Sequence, residues 1–199
     1  MLFFYLPASC QTTRWVLSFN PFGLLEPKAV VGIGVGYNFS RYCELWSETS
    51  AIRHVPWGPY GANGIRQILR FNYFIRGLPY NFVALEVRYK GYQYTRQTEL
   101  QDIATRQDVS AIQVTEHRGF LGEAFLFGFR KPIDTHIGLY METTLGLGIR
   151  QMLYDKEKGV PHGFRPTKED NVTNQIETAS FYCPFAIRLI WMFGKKLQP

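Results

Sequence analysis

Few residues of this chain have the types and spacing that catalysis or metal binding would require. The four histidines are scattered along the sequence: His54, His117, His136 and His162. They form no HExxH pattern and no cluster with cysteines, which are the arrangements that bind zinc in proteins. We therefore expect neither a metal site nor a cofactor.

One arrangement could place a nucleophile near a base: Ser110 with Glu116 and His117. A Ser–His pair oriented by an acid would suit an outer-membrane enzyme that modifies lipid A or phospholipid. Glu116 and His117 are consecutive, so on a strand their side chains face opposite sides. We expect polar rim residues here and no enzymatic activity, with the lipid-modifying enzyme as the alternative.

The cysteines and the N-terminus indicate export rather than redox chemistry. Cys10, Cys43 and Cys183 form no CxxC pair, and three cysteines cannot all be paired in disulfides within one chain. The first ten residues are largely apolar and end in small residues, as the end of a secretory signal does. We expect residues 1–10 to be a residual signal peptide or a disordered N-terminus, with cleavage after Cys10 favoured over its lipidation. Residues 11–199 are then one domain.

Composition favours strands. Hydrophobic residues make up 46% of the 199 residues and aromatic residues 16%. No apolar run approaches the roughly 18–20 residues that a transmembrane helix needs. The net charge is +6, but arginines alternate singly with apolar residues and form no basic cluster. Outer-membrane lipids and lipopolysaccharide are therefore expected partners, and nucleic acid is not.

Alternation with a period of two recurs along the whole chain. It is sharpest where Val83, Leu85, Val87 and Tyr89 alternate with Ala84, Glu86, Arg88 and Lys90. Eight candidate strands follow, at about 14–20, 29–39, 43–53, 65–75, 83–90, 119–130, 137–148 and 187–193. The joins after the second, fourth and sixth strands are short. Longer loops are expected at His54–Gly64, Leu100–Asp108 and Asp155–Gln175.

This pattern predicts an all-β fold: a single eight-stranded antiparallel up-and-down transmembrane β-barrel with short periplasmic turns and longer extracellular loops. An Arg or Lys facing lipid near the midplane would cost roughly 2–4 kcal/mol. We therefore place the charged face in the lumen, as a network that fills it and leaves no open pore. The predicted lumen charge network is Glu44, Glu48, Arg66, Arg70, Glu86, Arg88, Glu142, Arg150 and Arg188. A soluble β-sandwich or lipocalin-like barrel, with the opposite polarity, is the alternative fold.

Aromatic residues near the strand ends predict girdles at the two membrane interfaces. The predicted girdle residues are Trp15, Tyr37, Phe39, Tyr73, Tyr89, Trp191 and Phe193.

Three stretches carry a resemblance to a known family: Ser18-Phe-Asn-Pro-Phe-Gly-Leu-Leu-Glu-Pro, the glycine-alternating second strand, and Arg66 to Tyr73. They resemble small eight-stranded outer-membrane barrels of Bacteroidota, in the broad class of the OmpA and OmpX barrels. The resemblance spans about residues 13 to 195. It implies the outer membrane of a Gram-negative bacterium.

The last strand resembles the aromatic signal that the barrel-assembly machinery reads, in Leu189-x-Trp191-x-Phe193, although Gly194 to Pro199 follow it. The expected function is non-enzymatic. The barrel would act structurally, or as a binding or accessory subunit of a larger envelope complex through its extracellular loops.

Overall fold

A computed structural model describes residues 15–20, 30–53, 62–78, 80–158, 160, 162–166 and 180–193, which include ten strands. The strands are β1 (Trp15–Asn20), β2 (Val30–Asn38), β3 (Cys43–Ile52), β4 (Ala62–Phe74), β5 (Asn81–Asp102), β6 (Asp108–Asp134), β7 (Leu139–Lys158), β8 (Phe164–Pro166), β9 (Ser180–Tyr182) and β10 (Phe185–Phe193). In these ranges no helix is long and apolar enough to cross a membrane. The predicted signal segment, residues 1–10, lies outside them, as does most of the predicted loop His54–Gly64.

Eight of the strands close into a ring, which confirms the predicted antiparallel barrel and excludes an open sandwich. Each of β1 to β6 pairs with the next, and β10 pairs with both β7 and β1. The short strand β9 continues the β10 side of the ring along β7, and β8 pairs with the far end of β5 outside the ring. Every pairing is antiparallel. Because the ring is closed, none of its strands is left as an edge.

The strands of the ring are staggered. One row of paired residues runs around it through Leu139, Trp191, Leu17, Val35, Ser47, Leu69, Val87, Glu123 and Ile149. The row starts on β7 at Leu139 and returns to β7 at Ile149, so the stagger is ten residues (149 − 139). For eight strands this corresponds to a tilt of about 40°, with an interior just wide enough for side chains to fill.

The wall of the barrel is uneven in height, which the sequence did not predict. β5 reaches Asp102, β6 begins at Asp108 and β7 reaches Lys158, so paired strand extends well beyond the predicted strand ends at about 90, 119 and 148. The chain turns at residues 103–107, within the predicted loop Leu100–Asp108. Of the predicted loop Asp155–Gln175, residues 155–158 and 164–166 are strand, and 167–175 lie outside the described residues. The outward residues turn polar at Gln93 and Thr95, which ends the hydrophobic alternation. Backbone pairing continues beyond that point. We call residues 90–102, 108–120 and 150–158 the tall wall.

Turns close the strands at both ends. At the tip of the tall wall, Asp102 Oδ1 accepts hydrogen bonds from the backbone N–H groups of Ala104 (2.7 Å) and Thr105 (3.2 Å), which lower the pKa of that carboxyl. At the other end, the sixth strand of the ring extends beyond its predicted end at about residue 130. β6 runs to Asp134, and the chain turns over residues 135–138, where Gly138 has φ +70° and glycine is favoured.

The alternating glycines of β2 make room for large side chains in the lumen. Gly32, Gly34 and Gly36 face inward, opposite the side chains of β3. A Cβ added at Gly34 would lie 2.6 Å from Cζ2 of the buried Trp46 ring. The indole can therefore cross the lumen only because β2 has no side chain there.

Replacing Gly34 with Val should destabilise the barrel by about 1–3 kcal/mol, because the new side chain overpacks a filled interior. Unfolding in urea, followed by tryptophan fluorescence, measures the loss. The matched control is Val35→Leu on the outward face, where we expect a change within about 0.5 kcal/mol. Equal effects at the two positions would mean that the inward and outward faces of β2 are wrongly assigned.

Candidate functional site

The lumen is occupied by a network of buried ion pairs with Glu142 at its centre. Glu142 accepts hydrogen bonds from Arg70 Nη2 (2.7 Å), Arg130 Nε (2.9 Å) and, more weakly, Arg188 Nη1 (3.5 Å). The side chains of Glu142, Arg70 and Arg130 are 0% exposed. Three guanidinium groups from β4, β6 and β10 therefore meet at one carboxylate from β7.

Two further carboxylates extend the network to β3. Glu44 accepts two hydrogen bonds from Arg130, at 2.9 and 2.6 Å, in a bidentate pair. Glu48 accepts from Arg188 Nε and Arg66 Nη2, each at 2.9 Å. Bidentate, charge-assisted bonds of this kind fix orientation as well as adding energy.

Aromatic rings fill the spaces between the charges. The guanidinium carbons of Arg70 and Arg188 lie 4.3 and 4.8 Å from the centroid of the Trp46 ring. Arg130 lies 5.0 Å from the Phe74 ring. Cations placed against aromatic faces gain further stabilisation when they are removed from water. The described lumen is thus filled by its own side chains.

A separate ion pair lies at the end of the network nearer the tall wall. Arg88 donates to Glu86 Oε1 through Nε (3.0 Å) and Nη2 (2.7 Å). The Glu86 side chain is fully buried, whereas that of Arg88 is 19% exposed. Among the inward residues of β5, Arg88 is therefore the first to be partly exposed above the buried network.

Most of the predicted network residues come together in the structure. Seven are buried in the lumen, namely Glu44, Glu48, Arg66, Arg70, Glu86, Glu142 and Arg188, and Arg88 lies at their margin. The placement of Arg150 was wrong. It has the inward register but lies above the filled zone, where it is exposed and donates to Ser180 Oγ at 2.7 Å.

Arg130 is a central member of the network that the sequence analysis missed. Both faces of β6 are largely apolar or small, so its inward face could not be assigned from hydropathy. The signal that could have placed Arg130 is strand alternation, since residues two apart face the same side of a strand. Arg130 therefore faces the same side as the buried Ala124 and Leu126.

The outward face of the ring is mostly apolar, although Ser47, Thr49 and Gln67 are exposed on β3 and β4. We call its large outward-facing hydrophobic residues the outer belt, which includes Leu17, Phe19, Ile33, Val35, Leu45, Ile65, Leu69, Phe71, Leu85, Val87, Phe125, Phe127, Leu145, Leu147, Ile149 and Phe185. Leu147 is 71% exposed and Leu85 63%. Between the belt residues Val87 and Ile149, the paired residue on β6 is the charged and exposed Glu123.

All seven predicted girdle residues belong to the outward register, but they are not divided evenly between two rims. Trp15 pairs with both Tyr37 and Phe193, and Trp191, Phe39 and Tyr73 lie close to the same short-turn end. Tyr89 lies towards the opposite end, where its hydroxyl is 3.2 Å from that of Tyr154. Six of the seven predicted girdle residues thus lie near the short-turn rim.

Glu116 and His117, two of the three candidate catalytic residues, do not come together. Glu116 is buried and bonded to the Tyr94 hydroxyl and to Arg118 (2.8 Å), while the next residue, His117, faces the opposite side of β6. The side chain of Ser110 lies outside the described part of the chain. Within that part, no group of three His, Cys, Asp or Glu residues could hold a metal ion.

Comparison of the chain with protein-family models, with curated proteins and with solved structures finds no match. The resemblance to barrels of Bacteroidota therefore stays a prediction.

Replacing Arg88 with Leu should destabilise the barrel by about 3 kcal/mol, because it leaves the buried Glu86 carboxylate without its ion-pair partner. The measurement is the urea midpoint of the refolded protein. The double variant Glu86→Leu/Arg88→Leu should recover much of the loss, since an apolar pair removes the unpaired charge. A double variant that is less stable than Arg88→Leu alone would contradict this account of the pair.

Proposed function

We propose that the protein is a non-enzymatic integral barrel of a bacterial outer membrane, whose filled lumen serves as a rigid support for the tall wall. The observation that carries the proposal is the inverted polarity of the ring. Glutamates and arginines are buried inside it, and large apolar side chains are exposed outside. A soluble barrel has the opposite arrangement.

The outer belt suits a bilayer and is costly in water. Contiguous exposed apolar patches on soluble monomers rarely exceed a few hundred Å². The belt is wider than that, because outward apolar residues occur on all eight strands of the ring. In hydrocarbon the same residues are at no disadvantage, and the closed ring pairs its strands all round so that no edge meets lipid.

The filled lumen supports a structural or binding role rather than transport. The ion pairs centred on Glu142 connect β3, β4, β6, β7 and β10 across the interior. A solute would have to break several buried, charge-assisted bonds to pass. The barrel then serves to hold the tall wall above the membrane, as a binding surface or as an accessory part of a larger envelope complex.

Orientation follows from the two rims. In outer-membrane barrels the short turns face the periplasm and the longer segments face the exterior. We therefore place the turns at 39–42, 75–80 and 135–138 in the periplasm and the tall wall outside the cell. Lipopolysaccharide is the proposed lipid neighbour of the upper belt, and the barrel-assembly machinery is the proposed insertion partner.

Cysteine labelling in intact cells tests location and orientation together. In a background with the three native cysteines changed to Ser, Thr105→Cys at the tip of the tall wall is compared with Arg76→Cys in a short turn. A membrane-impermeant maleimide should label position 105 in intact cells and position 76 only after the outer membrane is permeabilised. The reverse pattern would overturn the orientation, and no labelling at either position before lysis would overturn the location.

A further inference from the structure

The inner face of the tall wall carries cations and aromatic rings side by side. We call Lys90, Tyr92, Tyr94, Arg118, Phe120 and Arg150 the mouth ladder. All six share the inward register of their strands and lie beyond the buried Glu86, on the tall-wall side of the charge network. They therefore line the entrance above the charge network.

Their contacts form a continuous series across β5, β6 and β7. The Tyr92 and Phe120 rings stack with centroids 6.0 Å apart and an interplanar angle of 14°. The Arg150 guanidinium lies 5.8 Å from the Phe120 ring, and Lys90 Nζ lies 5.8 Å from the Tyr92 ring. The series thus presents two stacked rings with a cation at each end.

A second aromatic–cation pair lies farther along the wall. Arg118 is 5.3 Å from the Tyr94 ring and is neutralised by Glu116 (2.8 Å) and Asp155 (3.2 Å). Arg150 differs from it, because its side chain is exposed and donates a hydrogen bond to the neutral Ser180 hydroxyl. Of the three cations in the ladder, Lys90 and Arg118 are partly buried and Arg150 is exposed.

Aromatic residues in a membrane barrel ordinarily contact lipid or pack in the core, and neither role accounts for this cluster. Tyr92, Tyr94 and Phe120 do not face outward, so they cannot contact lipid. They are also only partly buried, unlike the core residues Phe74 and Phe82. The outward side of the same wall carries Gln93 and Thr95, which suit water.

The chemistry of the ladder fits a ligand that has both flat apolar faces and negative charge. Sugar rings present C–H faces that stack on aromatic side chains, and carboxylate groups on such rings pair with guanidinium groups. Because Arg150 is exposed and the ladder extends across three strands, it can contact successive units of a chain.

We propose that the mouth ladder binds an acidic oligosaccharide reaching it from outside the cell, with rings on Tyr92 and Phe120 and a carboxylate on Arg150. This inference depends on the proposed function for the side of the membrane that the ladder faces. Binding itself depends only on a folded barrel, so the two can be tested separately.

Isothermal titration calorimetry on the full chain, refolded in detergent micelles, tests the site with tetragalacturonate as the probe. The fully methyl-esterified tetrasaccharide has the same rings without charge and is the matched ligand control. We expect tetragalacturonate to bind and the ester to bind about tenfold more weakly, as the loss of one charge-assisted pair implies.

Matched variants separate the ladder from general attraction to a basic protein. Arg150→Gln and Tyr92→Leu, which face inward, should each weaken binding about tenfold. Lys156→Gln on β7 and Tyr89→Leu on β5, which face outward, should leave it within twofold. If Tyr92→Leu does not fold, the comparison of Arg150→Gln with Lys156→Gln tests the site, since Arg150 is exposed.

Two results would overturn the proposal. One is the absence of binding to a barrel that is shown to be folded by its heat-dependent gel mobility. The other is an equal loss in Arg150→Gln and Lys156→Gln, which would indicate charge attraction without a site. Failure of the proposed function would appear differently, as a chain that binds the probe but is not in the outer membrane.

Discussion

Replacing Glu142 with Gln should cost about 3–5 kcal/mol of folding free energy, the largest single effect expected from the lumen. Glu142 is the shared acceptor of Arg70, Arg130 and Arg188. Gln keeps the size of the side chain but removes its charge, so buried guanidinium groups lose their common counter-charge. The measurement is urea-dependent unfolding in lipid vesicles, followed by tryptophan fluorescence.

Glu123→Gln is the matched control, since it makes the same chemical change on the neighbouring strand β6. Glu123 is exposed on the outward face between Val87 and Ile149. Its replacement should leave stability unchanged within about 0.5 kcal/mol or raise it slightly, as neutralising an acid next to lipid would. If Glu123→Gln proves the more damaging of the two, the inward and outward faces are reversed.

Replacing Leu85 with Arg should cost about 2–4 kcal/mol when the protein is folded in a bilayer, because the guanidinium then faces hydrocarbon. Leu85 is 63% exposed and lies within the outer belt, paired with Phe71 and Phe125. In water the same change would replace one exposed side chain with another and would alter stability by about 0.5 kcal/mol or less. The effect therefore distinguishes lipid from water around the belt.

Gln93→Arg on the same face of β5 is the control, since position 93 lies above the belt and is exposed. We expect its free energy of unfolding in vesicles to stay within about 0.5 kcal/mol of the parent value. If Leu85→Arg is as mild as Gln93→Arg in vesicles, lipid does not surround the belt. The inverted polarity of the ring would then not indicate a membrane.

The fold could be predicted from the sequence because the side-chain alternation has a physical cause that repeats in every strand. Glu86 and Arg88 alternate with Leu85 and Val87, and a strand with this order has one polar face and one apolar face. The glycines of β2 indicated an interior crowded by a large group, which the structure identifies as Trp46. The short joins after the second, fourth and sixth strands then indicated that consecutive strands run antiparallel.

The height of the wall could not be predicted from the same signal. Hydropathy reports where the outward face meets apolar surroundings, and that signal stops at Gln93. Backbone pairing is independent of it and continues to Asp102. The same limit explains Arg150, whose inward register was correct but whose position lies above the filled lumen.

Arg130 was missed for a different reason. Its strand has apolar residues on both faces, with Phe125 and Phe127 outward and Ala124 and Leu126 inward. Hydropathy therefore cannot orient it, and only pairing with a neighbouring strand does so. The ladder was missed because Tyr92 and Phe120 meet only through the register between β5 and β6.

Heat-dependent gel mobility of the protein taken from the outer-membrane fraction tests most directly whether this chain is a membrane barrel. A closed barrel with a network of buried ion pairs should resist detergent at room temperature and run at a different apparent mass before and after boiling. We expect two distinct bands, both recovered with the outer membrane. A single unshifted band from the soluble fraction would contradict the membrane location and the outward apolar face on which the account depends.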